Sequence, residues 1–246
     1  MSPSASTDGF LGGRLRLAQV PGYRAGADPV FLAAAVPAAP GESVLELGCG
    51  AGTALFCLGA RVGGLHLVGL ERDEAAAALA RANAAANEIA AEIVTGDVAA
   101  MPDALRAESF DHVMMNPPFF RSGPASLDAA RRGARHEDTP LGIWLDAGLR
   151  RLRPGGSLAV VQRAERVPEL LSGLGGRAGA LALRPLAPRA GRQAKLVLLT
   201  ARKGARAPFR LLPPFVLHAG DSHLSDGDDY TPAATAILRD GAAFPD

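Results

Sequence analysis

The chain has 246 residues, enough for one α/β domain with extensions and short for two independent domains. Hydrophobic residues make up 48% and charged residues 21%, ordinary for a soluble globular protein with a sizeable core. The net charge of +1 hides an asymmetry: residues 121–210 hold 18 Lys and Arg against 6 Asp and Glu, 18 − 6 = +12, while the rest holds 8 against 19, or −11.

Met1 to Asp8 has no basic segment leading into an apolar one, so no signal peptide is expected, and no apolar run approaches the ~20 residues that span a bilayer. Cys49 and Cys57 fit a reducing cytoplasm and structural positions; two cysteines alone do not make a metal site. The basic stretch includes Arg131, Arg132, Arg135, Arg150, Arg151, Arg153, Arg189, Arg192, Arg202, Lys203 and Arg206. Any one of these suits a solvated surface, but a skew over the whole stretch suggests a polyanionic partner.

In chain order, Arg14–Gln19 alternates polar and apolar side chains and predicts a short strand. Pro21 to Gly26 is rich in turn formers, and Val30–Val36 predicts a short helix ending near Pro37. Ser43–Leu47 predicts a buried strand, followed by a glycine-rich turn and a helix over about 54–61. A second strand at Leu65–Leu70 closes on Glu71, Arg72 and Asp73, and the alanine-rich Glu74–Asn87 predicts a helix. Glu92–Val94 is a third strand before Thr95-Gly96-Asp97, and Phe110–Met115 a fourth.

Residues 120–138 predict a long, mobile loop, and Pro140–Leu152 a helix stopped by Arg153-Pro154-Gly155-Gly156. Leu158–Gln162, Ala180–Pro185 and Lys195–Ala201 predict strands five to seven, with a helix at Val167–Leu174 after the fifth. The alternation predicts an α/β fold, an open and mostly parallel sheet with helices on both faces. Strands six and seven lack a helix between them, which predicts an antiparallel hairpin at one edge. Residues 208–246, with Pro213-Pro214 and an acidic run near Asp226 to Asp229, receive no assignment.

The turn Gly48-Cys49-Gly50-Ala51-Gly52 follows a strand and precedes a helix, the position where doubly wound sheets bind ligands. Gly48, Gly50 and Gly52 let the chain turn sharply and bring backbone against a ligand. A nicotinamide dinucleotide site has its third glycine one position later, and Glu46 would repel a diphosphate. A carboxylate there suits S-adenosylmethionine, with its positive sulfonium and amino group. Glu71 is placed to meet both ribose hydroxyls. Asp97 could accept from the adenine amino group, with the Val98 backbone N–H donating beside it. Glu71 or Asp97 alone would equally suit a helix cap or a loop charge; together at these spacings they favour S-adenosylmethionine over NAD.

Asn116-Pro117-Pro118-Phe119 ends the fourth strand. An NH2 group on an aromatic ring is a poor nucleophile because its lone pair is delocalised. The Asn116 side-chain oxygen and the Pro117 carbonyl could accept its two protons and free the lone pair, in a turn stiffened by both prolines. Phe119 offers a ring face for base stacking, worth about 1–3 kcal/mol. Alone, the segment would suit an ordinary proline turn, for which Asn is common at the first position. Beside the glycine turn it points to methyl transfer onto a planar amino group.

Both motifs resemble the class I S-adenosylmethionine-dependent methyltransferases of the Asn-Pro-Pro-aromatic branch. With Gln19–Phe31, Val44–Gly52, Asn116–Phe120, Arg135-His136-Glu137 and Leu152–Gly156, the chain resembles the bacterial tRNA adenosine N6-methyltransferase family acting beside the anticodon of a valine tRNA. The resemblance covers most of residues 15–205; Asp226-Gly227 and Tyr230-Thr231-Pro232 are similar to the alphaproteobacterial version. It implies a seven-stranded Rossmann-like sheet with an antiparallel edge strand. Cofactor contacts are implied for Glu46, Gly48, Glu71 and Asp97 and target contacts for Asn116, Pro117 and Phe119; the candidate cofactor set also takes in Gly50, Gly52, Arg72, Val98 and Asn116, and the candidate catalytic set Pro118. It also implies that residues 1–42 cover the cofactor, giving Tyr23, Arg24, Gly26 and Asp28 a role, around a domain at 43–205 and a tail at 206–246. Arg24 could meet the methionine carboxylate or form a surface salt bridge. Some members carry Tyr where this chain has Phe119, which keeps stacking and removes a hydroxyl.

The expected function is therefore methyl transfer to N6 of adenosine in RNA, a tRNA near its anticodon, by a cytoplasmic enzyme without a metal. The same turn also serves rRNA guanine N2 and protein glutamine N5 methylation, and the basic skew favours RNA over protein. A non-catalytic RNA-binding protein on this fold would be expected to carry a degraded cofactor turn.

Overall fold

The computed structural model describes residues 6–19, 25–121, 136–137, 139–220 and 229–245. A β-hairpin opens it, β1 (Thr7–Phe10) pairing antiparallel with β2 (Leu15–Ala18), so the expected strand at 14–19 has a partner that the polar start concealed. Helix α1 (Asp28–Ala35) leads to β3 (Ser43–Leu47), α2 (Thr53–Arg61), β4 (His66–Glu71), α3 (Glu74–Ala86), β5 (Ala91–Thr95), α4 (Asp103–Ala107) and β6 (Phe110–Met115). The two-residue strands β7 (Phe120–Arg121) and β8 (His136–Glu137) pair in parallel; most of the loop expected at 120–138 lies outside the described residues. Helix α5 (Leu141–Arg151), β9 (Leu152–Arg163), α6 (Val167–Leu174), β10 (Ala178–Ala187) and β11 (Leu196–Lys203) follow, then β12 (Arg210–Leu211), β13 (Phe215–Val216) and α7 (Pro232–Asp240).

The main sheet runs β12-β10-β11-β9-β6-β3-β4-β5, with β13 also on β10. Seven long strands form it, as expected, and β11 alone among them is antiparallel. Strands β10 and β11 form the expected antiparallel hairpin on one side of the sheet, but its antiparallel member β11 sits one place in, between β9 and β10. The crossover through α6 carries the chain from β9 past one strand position to β10, and β11 returns into that slot. The short β12 and β13 widen the sheet beyond seven strands. Strand β9 begins at Leu152, earlier than expected, and carries an irregular register at its start, between Phe110 and His112 of its neighbour β6.

Alternating side chains divide the core. Val44, Leu67, Met114, Ala159 and Val161 pack with Phe31, Leu55, Phe56, Ala77 and Ala80 of α1, α2 and α3. Leu45, Leu47, Val113, Met115, Leu158 and Val160 pack with Leu105, Leu145 and Leu170 of α4, α5 and α6. The tail belongs to the first layer: Phe215, Ala234 and Ile237 are buried there, and Phe215 meets Phe31 and Phe244 edge to face. Among the described residues no helix is long and apolar enough to cross a membrane.

Candidate active site

All parallel strands point their carboxyl ends to one end of the sheet, the upper end, and the glycine turn and the Asn-Pro-Pro-Phe turn both leave from it. After β3, the N–H groups of Gly48 and Cys49 both donate to the Leu70 carbonyl of β4, at 2.7 and 3.1 Å. Gly48, Gly50 and Gly52 have φ of 70°, 55° and 88°, a region that other residues enter at a cost. A Cβ on Gly48 would collide with the Trp144 ring, whereas one on Gly50 would meet none of the described residues within 4 Å. Among the described residues, Gly50 is therefore the glycine of this turn whose bare backbone leaves room for a ligand.

Two carboxylates hold this turn. Glu71, at the end of β4 and 4% exposed, accepts from Gly50 N–H at 2.8 Å and from Asp73 N–H at 2.9 Å, one on each oxygen. Each oxygen keeps a further acceptor site, so two hydroxyls remain within its capacity. Glu46, 3% exposed, accepts from Leu55 N–H at 2.9 Å. It thereby caps α2, whose N-cap Gly52 has no side chain to do so. Burial pushes the Glu46 carboxyl well above the usual range against the help of the Leu55 hydrogen bond, and the Glu71 charge pushes it the same way. A buried carboxylate pair fits a positively charged ligand.

Asp97 and Val98 follow β5, next to β4, where Gly96 N–H donates to the Glu71 carbonyl at 2.9 Å. One Asp97 oxygen accepts from Ala99 N–H at 2.8 Å, and Val98 is buried. Arg72 is exposed. Asp28 is the first residue of α1, its carboxyl raised by burial, and Gly26 is exposed just before it. Tyr23 and Arg24 lie outside the described residues. The two cysteines are buried thiols: burial pushes Cys57 up to about 12, with Glu46 adding to it, and Cys49 well above its usual value, with Glu46 and Glu71 adding to it. Among the described residues no cluster of three or more His, Cys, Asp and Glu is placed to hold a metal.

Asn116 continues β6 past its last paired residue, Met115, beside β3 and β9. Its side-chain oxygen is buried without a hydrogen-bond partner among the described residues. A buried acceptor without a donor costs about 1–3 kcal/mol. Pro117 is buried, Phe119 packs part of its ring against the α1–α2 layer, and Arg166 Nη1 reaches the Pro118 carbonyl at 3.4 Å. Two more buried atoms without a partner among the described residues stand at this end, Trp144 Nε1 on the first turns of α5 and Gln162 Nε2 near the end of β9. Sequence reasoning missed both; no local pattern marks a Trp or Gln whose only unusual property is a missing partner.

The basic residues divide between the two ends. Arg150, Arg151, Arg153, Arg202 and Lys203 sit at the lower end, where β9 begins and β11 finishes, and Arg206 follows there. Several are already engaged: Arg150 with Asp146, Arg153 with Asp111, and Arg151 and Lys203 with backbone carbonyls. Arg189 and Arg192 lie at the upper end, after β10. Arg189 is buried and binds Asp229 and the Ala219 carbonyl, while Arg192 is exposed. Arg131, Arg132 and Arg135 lie outside the described residues.

Residues 27–181 match the methyltransferase small domain family. The chain belongs to this family. A tRNA1(Val) (adenine(37)-N6)-methyltransferase of Dickeya chrysanthemi is 30% identical over 223 residues, 88% of this chain and 87% of that protein. The enzyme of the same description from Porphyromonas gingivalis is 35% identical over 156 residues, 60% of this chain; the match spans 61% of that relative's length. Among solved structures, one described as a predicted O-methyltransferase from Agrobacterium tumefaciens superposes with a TM-score of 0.71 at 28% identity, covering 88% of this chain and 98% of that one. The cofactor that follows from the family is S-adenosylmethionine. The residues present fit it: room at Gly50 among the described residues, acceptor capacity on Glu71, and a buried Glu46 whose carboxyl is pushed up beside it.

Proposed function

We propose that this protein transfers a methyl group from S-adenosylmethionine to the N6 amine of adenosine in RNA, a tRNA near its anticodon, in the cytoplasm. The single observation that carries the reading is the buried Asn116 oxygen, without a partner among the described residues, at the end of β6 and one strand from the glycine turn. Bound there, S-adenosylmethionine supplies an electrophilic methyl group. The chain's own part is to hold the amine. Asn116 accepts one N–H proton and the Pro117 carbonyl the other, which draws the nitrogen toward sp3 and frees its lone pair. The two prolines and the Arg166 contact hold those acceptors in place before substrate arrives, so catalysis is largely positioning. Phe119 offers its ring to the base. No strong general base is needed, because the methylated nitrogen is acidic enough to release its proton.

In this reading Glu71 meets the ribose, Asp97 and Val98 the adenine, and Glu46 the positive end of the cofactor. Residues 1–42 cover the site through Tyr23, Arg24, Gly26 and Asp28, residues 43–205 form the catalytic domain, and 206–246 a tail. Adenine and RNA are both favoured by the names of the relatives. Mass spectrometry of nucleosides from RNA of a deletion strain should show one N6-methyladenosine missing. Loss of an N2-methylguanosine instead would refute the choice of base, and an unchanged nucleoside profile with a methylated protein glutamine would refute RNA.

A further inference from the structure

Helix α3 is mostly alanine, yet it carries Asn83, and Asn87 caps its end one turn on; both are poor helix formers. Each clasps one residue of β2. Asn83 accepts from Ala18 N–H at 2.9 Å and donates to the Ala18 carbonyl at 3.0 Å. Asn87 accepts from Arg16 N–H at 3.0 Å and donates to the Arg16 carbonyl at 3.0 Å. The match is geometric: four helix residues rise about 6 Å, and two strand residues about 6.7 Å. Asparagines at i and i+4 therefore present amides at the spacing of alternate residues on a strand edge. Since β1 occupies the other edge of β2, α3 serves the hairpin as a second partner strand.

The two differ in burial and in their second donor bond: Asn87, half-buried, donates to the Asn83 carbonyl at 2.8 Å, whereas the buried Asn83 amide nitrogen also donates to the Ala51 carbonyl at 3.0 Å, inside the glycine turn. Ala51 lies between Gly50, whose N–H is held by Glu71, and Gly52, whose N–H donates to the Cys49 carbonyl at 2.8 Å, and the Asn83 bond fixes the carbonyl between them. Asn83 is 3% exposed, and its three hydrogen bonds use both donors and the acceptor. Just past Ala18, Gln19 is 1% exposed and accepts from Ala25 N–H at 3.1 Å.

We propose that Asn83 is a positioning residue for the cofactor: one buried amide sets the glycine turn and the N-terminal hairpin together, so that binding at the turn tightens the hairpin. The inference rests on S-adenosylmethionine binding at the glycine turn, and its test separates the two. Calorimetry with S-adenosylhomocysteine on the full chain should show Asn83→Ala binding about tenfold more weakly than wild type. Asn87→Ala, which loosens the same hairpin without touching Ala51, should stay within about twofold. Equal losses in the two variants would overturn the inference, since hairpin docking alone would then account for them. A second measurement needs no variant: hydrogen exchange on the wild type should slow at the Ala18 amide when S-adenosylhomocysteine binds. An unchanged rate there, with binding confirmed, overturns the coupling even if Asn83→Ala fails to fold. No binding by the wild type would sink the cofactor assignment, and the inference with it.

Discussion

The two ends of the sheet treat buried polar groups differently. At the lower end, Asp111 accepts from Ser43 N–H at 2.9 Å and Ser43 Oγ–H at 2.7 Å and pairs with Arg153 at 2.6 Å. Beside it, His112 bonds Ser157 at 2.6 Å and Glu42 at 2.8 Å, which lowers the Glu42 carboxyl. At the upper end Asn116, Trp144 and Gln162 each bury an atom with no partner among the described residues, and Glu46 buries a carboxyl that solvent would rather ionise. Proteins seldom leave such groups unmatched without a use for them. Among the described residues the lower end leaves one such atom, Arg61 Nε at the end of α2, whose Nη2 bonds the Ala33 and Val36 carbonyls, while the upper end leaves several where cofactor and substrate are proposed to bind.

That contrast can be broken from either side. The largest effect is expected from Glu71→Ala, which removes the anchor of Gly50 and the proposed ribose acceptor. Two charge-assisted bonds lost amount to about 3 kcal/mol, so affinity for S-adenosylhomocysteine should fall about 100-fold by calorimetry. At the lower end, Asp111→Ala should cost about 2 kcal/mol and lower Tm by about 4–8 °C, with cofactor affinity unchanged. Burial opposes ionisation of Asp111, but the Ser43 bonds and Arg153 outweigh it and hold its carboxyl at about 2. Its folded pKa is thus depressed, so its stabilisation is present above the ordinary aspartate value and lost as pH falls through about 2. Acid unfolding followed by circular dichroism should show that loss in wild type and not in Asp111→Ala.

The smallest effect concerns Glu46. Its folded pKa is raised, so without cofactor the stability it provides is greatest below the ordinary glutamate value and declines as pH rises toward the folded pKa. A cationic ligand favours the charged carboxylate. Affinity for S-adenosylmethionine should therefore rise with pH above the ordinary glutamate value, with a proton released on binding. Calorimetry in buffers of different ionisation heat measures that release, and Glu46→Gln should abolish it.

The parts of this arrangement that were legible in the sequence are those set by local chemistry. Gly48, Gly50 and Gly52 announce a turn because their backbone angles need glycine, and strands β3 to β6 announce themselves by apolar runs. The two-residue strands β12 and β13 are too short to carry a period, and α4 has only five residues. Glu46 was read for its charge alone; its bond to Leu55 emerges only once α2 is seen to start on a glycine without a cap. Asn83 and Asn87 left a signal, two asparagines in an alanine-rich stretch, but the strand they clasp lies far away in the chain. The basic skew was visible as a sum, and the fold then divided it, placing much of it at the end opposite the Asn116 turn.

The central proposal is that Asn116, without a partner among the described residues, completes its hydrogen bonding on the substrate amine. Asn116→Ala, assayed with RNA from the deletion strain in single turnover and by calorimetry with S-adenosylhomocysteine, tests it most directly. Transfer should fall by about 100- to 1000-fold while cofactor affinity stays near wild type. An Asn116→Ala enzyme that still methylates at the wild-type rate would contradict the account.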